Sequence, residues 1–142
     1  MSELGLLTSK QITGKDLSKI SRFILGHIKT FVPLYLDDWA IVNLPLKPEE
    51  INDGFCNDFA EDIKSKFPEA EILWGDDIPD EEWKLDEEWM SHFAPYHCFV
   101  RYNGLYYDAE TPYGVEDPKE IPYYKRDLNF YYKNNNLSPK IV

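Results

Sequence analysis

Tyr96-His97-Cys98-Phe99-Val100-Arg101-Tyr102-Asn103-Gly104-Leu105-Tyr106-Tyr107-Asp108-Ala109 is the stretch on which the fold turns. Asn-Gly between two aromatic and apolar runs predicts a hairpin with a two-residue loop, since both residues tolerate the positive φ of a type I′ turn. In that register Tyr102 faces Leu105, Arg101 faces Tyr106, Phe99 faces Asp108 and His97 faces Glu110. Alternate residues share a face, so His97, Phe99 and Arg101 point the same way as Tyr106, Asp108 and Glu110. His97 then has Asp108 as a diagonal neighbour and Glu110 directly across. Both lie within hydrogen-bonding reach, because diagonal positions are about 7 Å apart at the backbone and closer at the side-chain tips. Cys98 points to the other face and reads as a small buried apolar residue. A one-residue change in the turn would invert the facing.

Upstream, Gly54-Phe55-Cys56-Asn57-Asp58-Phe59-Ala60 opens a second strong pattern. Phe55, Phe59, Ile63 and Phe67 recur every four residues, which predicts a helix over 55–67 with Cys56 in its first turn. Asn52-Asp53-Gly54 is a turn signal before it, and Pro68 stops it. An earlier helix is predicted over 16–31, capped by Asp16, with Leu17, Ile20, Phe23, Ile24, Ile28 and Phe31 in register. Residues 38–44 fit a short strand or a helical turn. Pro45 and Pro48 mark a loop. A strand is predicted over 70–74, a long acidic loop with one short helical turn over 75–95, a loop over 111–122 and a final strand over 127–132. The tail, about 134–142, reads as frayed.

These elements predict an α+β single domain spanning 1–142, with a helix packed on a small antiparallel sheet. Its 142 residues suffice for a core without a disulfide or metal. No run of 18 apolar residues appears, so no membrane span is expected. Met1-Ser2-Glu3-Leu4-Gly5 does not resemble a secretory signal. A reducing, cytoplasmic compartment is therefore expected, with both cysteines as free thiols. The net charge of −11 argues against direct nucleic-acid binding and admits a basic peptide or protein as substrate or partner.

A cysteine in a first helical turn feels the positive end of the helix dipole, which favours thiolate. The same position aims backbone N–H groups at an anion forming on a bound carbonyl. A thiol nucleophile also needs a base, and the base needs a group to orient it. Cys56, His97 and Asp108 are the candidates for those roles, with Glu110 as the alternative acid. Together, Gly54-Phe55-Cys56-Asn57-Asp58-Phe59-Ala60, His97-Cys98-Phe99-Val100 and Tyr107-Asp108 resemble the nucleophile, base and acid motifs of the transglutaminase-like and papain-like cysteine enzymes. The resemblance covers roughly residues 54–110. It implies a papain-like or transglutaminase-like core and a thiol protease, amidase or acyltransferase acting through a Cys-His-Asp triad, without a cofactor. The side-chain oxyanion donor stays open among Asn52, Asn43 and Trp39.

Rival readings attach to the same residues. Cys56 alone fits a core cysteine. Cys56, His97, Asp108 and Glu110 are acceptable metal-ligand types, yet no Cys-x-x-Cys or His-x-x-x-His spacing supports a metal site. His27 reads as a partly exposed helix residue without a role, and His92 as a competing base. Tyr106, Tyr107, Tyr113, Tyr123, Tyr124, Tyr131 and Tyr132 fit either a groove lining or a small core with wet hydroxyls. The acidic segment 76–88 fits a solvated surface. It also fits a non-catalytic acidic binding protein, such as a decoy for a basic nucleic-acid-binding partner, on an enzyme-like fold.

Overall fold

The structure is a computed structural model, and it describes residues 17–83 and 96–134. Among the described residues, four helices precede the first strand: α1 (Lys19–His27), α2 (Asp38–Asn43), α3 (Pro48–Asn52) and α4 (Cys56–Lys66). Strand β1 (Glu71–Trp74) leads through a 3₁₀ turn, Gly75–Asp77, into α5 (Asp80–Trp83). The hairpin is β2 (Cys98–Tyr102) and β3 (Leu105–Tyr107), followed by a 3₁₀ turn at Pro118–Glu120 and by α6 (Pro122–Asn134).

Local chemistry sets these boundaries. Ser18 caps α1 by accepting from the Ser21 N–H at 3.2 Å. The helix therefore starts later than the expected 16–31, and Asp16 lies outside the described residues. Asp37 caps α2 on the Ala40 N–H at 2.8 Å, which resolves 38–44 as helix. Residues 48–52, expected as loop, form α3 because Pro48 occupies the first helical turn, where its missing N–H costs nothing.

The expected strand at 127–132 is corrected to part of α6. Its aromatic run suggested a strand, but Pro122 starts a helix whose Tyr124 and Leu128, four residues apart, are both buried. The region after β1 is more ordered than a loop through Trp83. That side chain is fully buried and donates from Nε1 to the Gly75 carbonyl at 3.0 Å. The rest of the expected acidic loop, 84–95, and the tail beyond Asn134 lie outside the described residues.

The sheet is antiparallel in the order β1-β2-β3. Tyr102 pairs with Leu105, Arg101 with Tyr106 and Val100 with Tyr107, the register that a two-residue loop dictates. Asn103 (φ 51°) and Gly104 (φ 81°) supply the left-handed turn. Both faces of the sheet are covered. Cys98, Val100 and Tyr107 pack with Ile20 and Ile24 of α1 and with Phe59, Ala60 and Ile63 of α4. Phe99 and Tyr106 pack with Trp83, Ile121, Tyr124 and Leu128 on the other side. The molecule is thus an α+β fold with helices on both faces of three strands. The start of α4 and residue 97 both lie at the open end of the hairpin.

Candidate active site

Gly54, at φ 124°, takes the chain through a turn that other residues rarely adopt and delivers it into α4. Cys56 is the first helical residue, and no side chain caps the turn that it opens. The N–H groups of that turn keep the positive end of the helix dipole uncovered. Cys56 packs at the edge of the α1/α4 core and is 8% exposed.

His97 immediately precedes β2 and is fully buried. Its Nε2 lies 2.7 Å from Asp108 Oδ2, and Asp108 is itself only 3% exposed. Tyr123 stacks flat on the imidazole at 4.3 Å, and Tyr124 meets it edge-on at 5.6 Å. The Tyr124 hydroxyl donates to the His97 carbonyl at 3.3 Å. The ring is held in plane and in position before any ligand arrives.

Asp108 is fixed just as firmly. Its Oδ1 accepts from the Thr111 hydroxyl and, at 2.9 Å, from the Glu110 N–H. Its own N–H donates to Thr111 Oγ1 at 2.8 Å. Burial by itself would raise the Asp108 pKa, but the His97 hydrogen bond and charge, with Thr111 and the Glu110 N–H, bring it below the usual value. For His97, burial by itself would lower the pKa. The hydrogen bond to Asp108, the charge of that carboxylate and the neighbouring Cys56 thiol overcome it and raise the pKa from 6.5 to about 9. The imidazole is therefore charged near neutral pH, and the Tyr123 face supports that charge.

The Cys56 thiol is close enough to His97 to raise the affinity of the ring for its proton. Nε2 is already committed to Asp108, so Nδ1 is the nitrogen available to the sulfur. Nδ1 and Asn52 Oδ1 are the two fully buried side-chain polar atoms without a standard hydrogen bond among the described residues. Buried polar atoms are rarely left this way.

Glu110 has a different partner set. It accepts from Asn52 Nδ2 at 2.9 Å and from both arms of Arg126 at 2.8 and 2.9 Å. Asp108 is thus the acid on the imidazole, and Glu110 ties α3 to α6. Asn52 commits its amide N–H to Glu110. Asn43 donates to the Trp39 carbonyl within α2, and both residues are exposed. Cys98 is fully buried; burial pushes its thiol pKa up to about 12. His27 pairs with Asp62 at 2.8 Å. His92 lies outside the described residues.

Of the tyrosines, Tyr106, Tyr107 and Tyr124 are buried, Tyr113 and Tyr123 are half-buried, and the side chains of Tyr131 and Tyr132 are not among those described. Thr111, Arg126 and the stacking role of Tyr123 escaped the sequence reading. Thr111, three residues after Asp108, carries a local signal, because Asp and Ser/Thr at such spacing bond each other's backbone.

Among the described residues no group of three or more His, Cys, Asp or Glu is arranged to hold a metal ion, and no helix is long and apolar enough to cross a membrane. In comparisons with known proteins, no family model, no curated protein and no solved structure matches this chain.

Proposed function

We propose that the chain is a thiol hydrolase or acyltransferase acting on an amide or related acyl bond, on a papain-like or transglutaminase-like core. The observation that carries the reading is one buried imidazole bonded to Asp108 at 2.7 Å while it also feels the thiol at the start of α4. Cys56 Sγ adds to the carbonyl carbon as thiolate, its proton having passed to His97. The carbonyl π pair moves onto oxygen, where the Cys56 N–H stabilises it. Collapse expels the amine, which takes its proton from His97, and leaves a thioester. Water or a second amine then takes the acyl group. Asp108 fixes the ring tautomer and offsets the imidazolium charge. A reducing, cytoplasmic setting suits the two free thiols.

The test is alkylation by iodoacetamide at neutral pH, with the modified residue located by peptide mass. Cys56 is expected to react at least about tenfold faster than a free cysteine thiol, and Cys98 not at all. An inert Cys56 contradicts the reading. The net charge of −11 and the low exposure of Cys56 favour the second reading, a non-catalytic acidic binding protein. Inertness combined with salt-sensitive binding to a basic partner would favour it.

A further inference from the structure

A cleft of about 370 Å³ is lined by Glu49, Glu50, Asp53, Tyr123, Arg126 and Asp127. It shares a wall with the candidate site, because the Tyr123 that lines it is the ring stacked on His97. Asp53 stands three residues before Cys56. Four carboxylates and one guanidinium face this space, and both arms of that guanidinium are taken by Glu110. The cleft is therefore net negative. Its volume is at the low end of small-ligand sites, roughly 300–1,000 Å³, which suits one side chain or a small amine rather than a folded surface.

A separate observation marks the same neighbourhood. Of the two buried polar side-chain atoms without a standard hydrogen bond among the described residues, Asn52 Oδ1 and His97 Nδ1, the first is on the segment that lines the cleft and the second is on the ring against Tyr123. Asn52 lies between Glu50 and Asp53 in sequence, and the His97 ring lies against Tyr123. Asn52 Oδ1 is an acceptor that lacks a donor, on the same segment as the Glu49, Glu50 and Asp53 carboxylates of the cleft, whereas His97 Nδ1 is the nitrogen left to the thiol.

We propose that this cleft takes a cationic group, the Lys or Arg side chain of a peptide substrate, and so sets an adjacent carbonyl before Cys56. The proposal rests on the thiol-enzyme reading and adds its substrate class. Carboxylates lining a concave site concentrate cations and repel anions, changing on-rates by about 10- to 1,000-fold. An acidic side chain is repelled there, and a neutral one gains no charge attraction.

Matched thiol reagents supply the test. Trimethylammonium-ethyl and sulfonato-ethyl methanethiosulfonate each form a mixed disulfide with a thiolate and release methanesulfinate, and they differ chiefly in charge. With rates at Cys56 normalised to free cysteine, the cationic reagent is expected to react about tenfold faster or more. The Asp53→Asn/Asp127→Asn double variant should cut that ratio severalfold. The Glu69→Gln/Glu116→Gln variant removes the same charge from exposed positions off the cleft and should leave the ratio unchanged. Fast reaction with neutral iodoacetamide but no charge preference overturns this proposal alone, as do equal losses in the two variants. A Cys56 inert to iodoacetamide overturns the enzyme reading and the proposal with it.

Discussion

Among the described residues, two histidine–aspartate pairs of nearly the same geometry stand in different surroundings. His27 Nε2 meets Asp62 at 2.8 Å and His97 Nε2 meets Asp108 at 2.7 Å. Each ring is stacked on an aromatic, Phe23 at 4.9 Å and Tyr123 at 4.3 Å. The first pair is 22% and 44% exposed, the second 0% and 3%. Water screens the first, and such pairs contribute about 0–1 kcal/mol. In the second, water is replaced by Thr111, the Glu110 N–H, Tyr124 and a thiol. Distance alone therefore does not mark a site. Burial, and a third group that responds to the proton, do.

The largest expected difference lies in deletion. Asp108→Ala breaks a buried pair and strips the His97 ring, Thr111 and the Glu110 N–H of their acceptor, and should cost about 3–5 kcal/mol in chemical denaturation. Asp62→Ala should cost less than about 1 kcal/mol. Equal losses would break the comparison.

Next is pH. The folded pKa of His97 is raised, so its stabilisation is complete below pH 6.5 and fades as pH rises through about 9. Asp108 has the opposite sign. Its contribution holds above the usual carboxylate pKa and is lost as pH falls through its lowered folded value. Thermal melts should fall from pH 6.5 to above 9, and an Asp108→Asn variant that folds should lose most of that fall.

A smaller effect is expected from Thr111→Val, which removes one hydrogen bond to Oδ1 and leaves the Asp108 N–H unpaired. About 1–3 kcal/mol is the expected cost by denaturant titration. Smallest is salt. Raising ionic strength should leave the effect of Asp108→Ala nearly unchanged, because counterions do not reach a pair buried to this degree.

The two pairs also show what a sequence can carry. Asn103-Gly104 set the hairpin register, and that register brought His97 and Asp108 onto one face. The four-residue stripe Phe59, Ile63, Phe67 placed Cys56 at a helix start. Local pattern could not choose between Asp108 and Glu110, since both share that face. The choice rests on Asn52, 58 residues upstream of Glu110, and on Arg126, 16 downstream. The stacking of Tyr123 depended on α6, and its aromatic run read as strand because β-propensity reports packing that a helix can also satisfy. Pro48 and Pro122 read as breakers, although a first helical turn accepts proline.

The central claim is that one proton-bearing ring couples Asp108 to Cys56. Histidine-selective ¹⁵N NMR, titrated before and after alkylation of Cys56, reads that coupling directly. The account predicts a His97 midpoint near pH 9 that falls once the thiol is capped, because a neighbour that raises it has been removed. A midpoint at or below 6.5, unmoved by alkylation, would contradict it.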